Sequence, residues 1–438
     1  MLKVLKFGGS SMADAKQFEK VKSIVQADPA RRVVIVSAAG KRFSDDHKLT
    51  DLLYLCYAHL KYGVSCDTVF DMIRSRYMEI RDDLGLKTDL ETEFAALRKK
   101  MDAGISQDEL VSRGEYFAAR LMADYLGYDF LDSELWLKFN LDGTVDQEKS
   151  YEILARTASG RRVVIPGFYG TMPDGSIKTF TRGGSDITGA LAAAALDADV
   201  YENWTDVSGF LIADPRIIKD PQVIEVITYK ELRELAYMGA TVLHEDAIFP
   251  VRQQGIPINI RNTNAPADEG TWIVGSTCQK SKYIITGIAG KKGFCAVNIE
   301  KDMMNSEIGF GRKVLQSFEE NGISFEHVPS GIDTLTVFVH QDEFMHKEQK
   351  VVAGIHRLAN PDSIDIESDL ALIAVVGRGM KSMRGTAGRL FSALAHANIN
   401  IKMIDQGSSE LNIIIGVANE DFENAIRAIY AIFVETQL

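Results

Sequence analysis

Cysteine, tryptophan and proline are all scarce in this 438-residue chain, at 4, 3 and 10 residues. Cys56, Cys66, Cys278 and Cys295 lie far apart, with no CxxC pair and no histidine at metal-ligand spacing. That excludes a disulfide-stapled scaffold or a zinc site and leaves buried free thiols in a reducing compartment. Positive charge is also in deficit: the formal net charge is −12. A surface devoted to nucleic acid or anionic lipid needs a basic field, so neither partner is expected, although a local phosphate site remains compatible. The longest apolar stretch, Ala190 to Leu196, falls far short of the ~20 residues that cross a bilayer. The first residues run straight into VLKFGG, without the apolar core of a secretory signal. These absences lead to the expectation of a cytoplasmic protein, in which the Asn203-Trp204-Thr205 sequon is a chance match.

What is present is an ordinary globular composition, 46% hydrophobic and 25% charged, with length for about three domains. Over the first 280 residues, short β-branched runs alternate with amphipathic helical patterns, the mark of a layered α/β domain. Val4 to Phe7, Arg32 to Val36, Val163 to Ile165 and Pro257 to Ile260 read as strands. Thr50 to Tyr62 and Leu110 to Leu126 read as helices, with apolar residues returning every three or four positions. Asp186 to Leu196 is rich enough in alanine to pack closely on a neighbour. Ala265 to Gly270 turns to Pro, Asp, Glu and Gly, and the pattern changes beyond Lys280, which places a domain boundary near 280.

The last third contains a repeat. A shift of 76 residues sets Phe318 on Leu394, Ile323 on Ile399, Gly331 on Gly407, Leu335 on Leu411 and Val337 on Ile413. Each copy reads as strand, helix, two strands and helix. Two copies cannot make a solenoid, so they should pair with each other or across subunits.

Three loops carry candidate chemistry. In Lys6-Phe7-Gly8-Gly9-Ser10-Ser11 a strand ends in two glycines just before a helix, an arrangement that lets backbone N–H groups approach a polyanion, with Lys6 in reach. Its plain alternative is a tight turn beside an exposed lysine. Thr181-Arg182-Gly183-Gly184-Ser185-Asp186 opens the alanine-rich helix. There Arg182 can grip a carboxylate or phosphate through two parallel hydrogen bonds, and Asp186 can orient a lysine or a metal-bound water. Alternatively Ser185 or Asp186 is simply a helix N-cap. Trp204-Thr205-Asp206-Val207-Ser208-Gly209, followed by Ala213-Asp214-Pro215-Arg216, stands where α/β sheets place nucleotide contacts; taken alone it is a loop with turn chemistry. No Walker loop and no HRD or DFG element occurs, and Gly377-Arg378-Gly379 lacks the last glycine of GxGxxG, so it reads as a loop of the second repeat.

KFGGSS, Val111-Ser112-Arg113-Gly114-Glu115, RGGSD, WTDVxG and ADPR, in this order, resemble the aspartate kinases of the amino acid kinase family, and the repeats, with GSSELNI at 407 to 413, resemble ACT modules. The resemblance covers nearly the whole chain. It implies a three-layer α/β/α amino-acid-kinase-like domain at 1–280 followed by two α+β ferredoxin-like ACT domains, at 281–360 and 361–438, with 424–438 as a candidate for completing the first. It also implies transfer of a phosphoryl group from Mg-ATP, the magnesium bound through the ATP phosphates, to the side-chain carboxylate of L-aspartate. By matching positions, Lys6 and Asp186 are catalytic. Lys6, Gly8, Gly9, Ser10, Thr205, Asp206 and Arg216 contact the nucleotide. Ser37, Thr50, Glu115, Phe168, Arg182 and Ser185 contact the substrate, with Arg182 on its α-carboxylate and Glu115 on its ammonium.

An effector pocket is implied in the first repeat, around Ser306, Phe310, Phe325, Glu326, Ser330 and Asp333. Lysine is the first choice of effector and threonine the second. A homodimer, or a dimer of dimers through the ACT domains, is the implied assembly. The sequence departs from the family at Thr241, where a lysine is common, and in Lys41 to Lys48, which is longer than its usual counterpart. His244 reads as structural, since a carboxylate nucleophile needs no base. The rival readings are a non-catalytic amino-acid sensor and a related kinase with another substrate.

Overall fold

The computed structural model describes residues 1–181, 183–240, 248–277 and 282–436, and the chain divides into two compact units. Met1–Phe210, Val223–Tyr229 and Thr241–Thr277 form the first; Leu211–Gln222, Lys230–Ala240 and Cys278–Leu438 form the second. Arg182, Thr241, His244 and Cys278 lie outside the described residues.

The strands of the first unit are β1 (Lys3–Phe7), β2 (Arg31–Val36), β3 (Asp129–Phe130), β4 (Val163–Pro166), β5 (Tyr169–Thr171), β6 (Ile177–Thr179), β7 (Val200–Thr205), β8 (Val226–Thr228), β9 (Ile258–Asn262) and β10 (Thr271–Val274). Among the described residues, eight of them form one sheet in the order β3-β4-β2-β1-β7-β9-β10-β8, while β5 and β6 make a separate hairpin. Pairing in the large sheet is parallel except between β9 and β10. Parallel strands are covered on both faces and therefore read as continuous apolar runs. Val4, Leu5 and Phe7 and the β2 run Val33 to Val36 are accordingly buried, and Lys6, at 8% exposure, is the one buried charge of β1.

Parallel neighbours need crossover helices. The first, Ala15–Gln26, is capped by Asp14, whose carboxylate accepts the Gln17 N–H. Gln107–Leu126 starts on a Ser106 cap and stops at Gly127 in the left-handed conformation. The alanine-rich helix Gly184–Ala195 buries Ala190 to Ala194. Its Gly189 lies against Tyr201 of β7, where a Cβ would stand 2.5 Å from the phenol oxygen, so the close packing expected from composition is present. β1 lies between β2 and β7, so the chain leaves it towards one side and returns on the other. That crevice, beyond the carboxyl ends of the strands, is where open α/β sheets bind ligands.

In the second unit β11 (Gly287–Glu300), β12 (Phe325–His327), β13 (Thr334–His340), β14 (Ser363–Val376), β15 (Met403–Asp405) and β16 (Asn412–Ala418) form one antiparallel sheet in the order β12-β13-β11-β14-β16-β15. The 76-residue shift carries β11 onto β14 and helix Phe310–Glu320 onto helix Thr386–His396, end to end. The repeat is therefore three-dimensional, and its copies pair through their long first strands, Gly287 opposite Val376 and Glu300 opposite Ser363. Each copy has its own second helix. In the first, Glu348–Ala359 packs on Phe310–Glu320, where the Ser317 hydroxyl donates to the Val351 carbonyl. In the second, residues after helix Phe422–Tyr430 place Phe433 under Arg389 of helix Thr386–His396. Gly377-Arg378-Gly379 opens a short 3₁₀ turn within the second copy. No helix among the described residues is long and apolar enough to cross a membrane.

Candidate functional site

A lysine inside a buried apolar strand needs a counter-charge. Lys6 Nζ finds Asp186 Oδ1 at 2.7 Å, and the same oxygen accepts a hydrogen bond from Asn203 Nδ2 of β7 at 2.8 Å. Three elements, β1, helix Gly184–Ala195 and β7, thus meet at one carboxylate. The exposed-lysine alternative for the first loop does not hold, because Lys6 is buried. Nor does the capping alternative for the second: the N-cap of helix Gly184–Ala195 is Gly183 at φ 59°, with no side-chain cap.

The two glycine turns are fixed by backbone contact. Gly8 N–H donates to the Trp204 carbonyl at 3.0 Å, and Gly40 N–H donates to the Gly9 carbonyl at 2.8 Å. At Gly40 an added Cβ would lie 2.6 Å from Gly9 C, so no side chain fits. At Gly8 a Cβ would meet nothing closer than Lys6 Nζ at 3.6 Å, so the turn is not crowded beside that ammonium. Ser11 serves the fold instead, through a 2.7 Å hydroxyl contact with Thr263 after β9.

Lys6, Gly9, Ser10, Ser37, Thr50, Glu115, Phe168, Ser185, Asp186 and Asp206 line one cavity of about 620 Å³, together with Gly183 and Gly184. Ten of the sequence candidates are thereby brought together. Gly8 adjoins it, and the Thr205 hydroxyl donates to Asp206 Oδ1 at 3.2 Å. Arg216 belongs to the second unit, where its guanidinium holds both carboxylate oxygens of Asp214 at 2.6 to 3.0 Å. In that unit Glu326 Oε1 is 3.1 Å from His340 Nε2, and Asp333 Oδ1 accepts the Met303 N–H at 2.9 Å. Phe310 is buried in the core of the first repeat and Phe325 is 46% exposed. Ser330 bridges to Leu335, and Ser306 ends a short 3₁₀ turn.

Glu115 is the electrostatic anomaly of the cavity. It is 5% exposed, and its Oε2 is buried without a hydrogen-bond partner among the described residues. Burial pushes its carboxyl up to about 8, against the opposing pull of the Ala38 amide. An unsatisfied buried carboxylate facing a cavity is a seat for a cation. Phe168 is the conformational anomaly, a bulky residue at φ 81° held by the Thr188 hydroxyl on its N–H and by the Phe180 N–H on its carbonyl. Strain of this kind collects at ligand sites. Glu115, which an arriving ammonium would ionise, and the Lys6 ammonium, with the N–H groups opening helix Gly184–Ala195, suit a ligand carrying both an ammonium and anionic groups.

Sequence reading missed Lys41, Lys48, Ala38, Ala39 and Gly40 as lining residues and Asn203 as a second partner of Asp186. The unusual length of Lys41 to Lys48 was the available signal for the lysines; Asn203 was read only as part of a chance sequon.

The amino acid kinase family model matches residues 1–262, and an ACT domain model matches residues 373–433. The chain therefore belongs to the amino acid kinase family. It is 39% identical to aspartokinase 3 of Bacillus subtilis over 99% of this chain and 98% of that protein. The crystal structure of aspartate kinase from Clostridium acetobutylicum superposes with TM-score 0.90 at 49% identity, covering 99% of both chains. E. coli aspartokinase III in complex with lysine and aspartate superposes with TM-score 0.73 at 25% identity, over 98% of this chain and 99% of that one. Within the family the chain is an aspartate kinase with C-terminal ACT domains.

Proposed function

We propose that the chain transfers the γ-phosphoryl group of ATP to the side-chain carboxylate of L-aspartate, giving 4-phospho-L-aspartate as the first step towards lysine, threonine and methionine. The observation that carries this reading is the single cavity holding a buried Lys6–Asp186 pair and an unsatisfied Glu115 carboxyl. The nucleophile is already an anion at neutral pH, so positioning and charge cancellation suffice. Lys6 and the amide of Gly9 neutralise the transferred phosphoryl group, Gly8, whose own N–H is held by the Trp204 carbonyl, shapes the turn beside them, and Asp186 aims Lys6. Glu115 holds the ammonium of aspartate, Arg182 its α-carboxylate, and Ser37, Thr50, Phe168 and Ser185 shape the remaining wall. Thr205, Asp206 and Arg216 contact the nucleotide.

No group of three or more His, Cys, Asp or Glu able to hold a metal occurs among the described residues. The cavity lined by Lys6 and Asp186 suits a metal that arrives on the ATP phosphates, with Asp186 placed to orient its water shell. Bound there, magnesium would supply additional neutralisation of phosphate charge.

The domain division at about 280, with two ACT modules after it, fits regulation by an amino acid. Lysine is favoured, since the E. coli relative was crystallised with lysine. Ser306, Phe310, Phe325, Glu326, Ser330 and Asp333 form the proposed effector pocket, and the ACT modules the proposed homodimer contact. The reading is tested by trapping acyl phosphate as a hydroxamate: product dependent on both ATP and L-aspartate is expected, and its absence overturns the assignment. Repeating the assay with lysine and with threonine tests the effector.

A further inference from the structure

Residues 40–48 form a closed loop. The Leu49 N–H donates to the Ala39 carbonyl at 3.2 Å, so the ends meet, as in a compact Ω-loop. Its interior is anchored to helix Asp67–Asp83 by Arg76, which donates twice to Asp46 at 2.7 and 2.8 Å and once to the Gly40 carbonyl at 3.1 Å. Asp46 also accepts the Arg42 N–H at 3.0 Å and the Arg42 Nε–H at 2.9 Å. Burial alone would raise the Asp46 carboxyl, but these hydrogen bonds and the Arg76 charge hold it well below the usual carboxylate range. These contacts anchor the backbone of the loop beside the cavity, with Lys48 exposed at its end.

Two of those side chains, Lys41 and Lys48, line the cavity. Lys41 Nζ is spent on the Ser44 carbonyl at 3.1 Å. Lys48 sits at the start of helix Leu49–Lys61, two residues before Thr50, and its ammonium has neither an ion pair nor a hydrogen bond among the described residues. Lys6, by contrast, is matched by Asp186. On the reading above, Arg182 and Glu115 take the head group of aspartate, which leaves its side-chain carboxylate without a cation of its own.

We propose that Lys48 is a further substrate-binding residue, whose ammonium holds the side-chain carboxylate of the amino acid from the 40–48 loop. The inference rests on the aspartate kinase reading and separates from it by experiment. In the full-length protein, Lys48→Met is expected to raise the KM for L-aspartate about ten- to a hundredfold, the range for losing a charged hydrogen bond, with the KM for ATP unchanged. Lys48→Arg, which keeps the charge, should recover most of the loss.

Calorimetry with L-asparagine supplies the readout that a merely structural role would not move. Asparagine keeps the head group and lacks the second charge, so Lys48→Met should weaken aspartate binding while leaving asparagine binding as in the wild type. Equal weakening of both ligands, or an aspartate KM within twofold of wild type, overturns the proposal. If the wild-type protein forms no hydroxamate from aspartate, the reading itself fails and the proposal falls with it.

Discussion

The Lys6 ammonium stands 2.7 Å from Asp186 Oδ1, and Asn203 donates to that same oxygen at 2.8 Å. With its carboxylate held from two sides, Asp186 keeps Lys6 aimed before any ligand arrives, and such preorganisation is where electrostatic catalysis has its effect. Lys6→Ala and Asp186→Ala are each expected to lower kcat about a hundredfold or more while altering the KM for aspartate little. Steady-state kinetics decide it: near-normal kcat in either variant removes that residue from the mechanism.

Glu115 gives the site a pH dependence. Its carboxyl is pushed up to about 8 in the ligand-free cavity by burial, so at neutral pH it is largely protonated. A substrate ammonium favours the ionised form and draws that proton off. Aspartate binding near pH 7 should therefore release close to one proton per site, read by calorimetry in buffers of different ionisation enthalpy, and affinity should rise with pH until about 8. Glu115→Gln should abolish both effects and weaken aspartate binding.

The same shift sets a stability window. The folded-state value lies above the ordinary one of 4.5, so the folded protein binds the proton more tightly than the unfolded chain. That contribution is complete below the unfolded value and is lost as pH rises through about 8. In the absence of ligand, Glu115→Gln should flatten the decline in thermal stability between these limits, measured by calorimetric scans across pH.

Gly40 tests the backbone seam between the two glycine turns. A Cβ there would stand 2.6 Å from Gly9 C, against the Gly9–Ser10 backbone. Gly40→Ala should force the Lys41 loop and the Gly8-Gly9 turn apart, costing about 1–3 kcal/mol in stability and lowering kcat/KM for both substrates. Gly311→Ala, inside helix Phe310–Glu320 with nothing within 4 Å of the added carbon, is the control expected to leave kcat/KM unchanged and to raise stability by about 0.4–1 kcal/mol if it changes it at all.

How far the sequence revealed this site follows from what each feature depends on. The glycine turns, the strand before each and the alanine-rich helix are local chemistry, and β1, β2 and helix Gly184–Ala195 start within two residues of where the pattern put them. The repeat was legible because a period survives any three-dimensional detail. Lys48 was not, because its place depends on Arg76, 30 residues away from Asp46 in the chain. Glu115 was legible as a charge but not as an unsatisfied one, since that depends on the walls closing over it. Helices Asp67–Asp83 and Leu90–Asp102 carry no chemistry of their own and went unnoticed, although Arg76 on the first anchors the 40–48 loop.

In the second unit, Glu231 is fully buried and bound to Arg378, with Oε2 2.9 Å from Nη1, while its Oε1 accepts from the Thr286 hydroxyl at 2.6 Å and from the Arg378 N–H at 2.9 Å. This carboxylate joins helix Tyr229–Tyr237 to the turn that follows β14. Removing one member of a buried pair strands the other charge, at a cost of about 3–5 kcal/mol, whereas replacing both by apolar groups removes the stranded charge. Because Arg378 is partly exposed, at 20%, Glu231→Leu should fall at the lower end, about 3 kcal/mol. The double variant Glu231→Leu, Arg378→Met should be more stable than Glu231→Leu alone. Thermal or denaturant unfolding of the single and double variants measures the coupling; strict additivity of their effects would mean that the pair contributes nothing beyond packing.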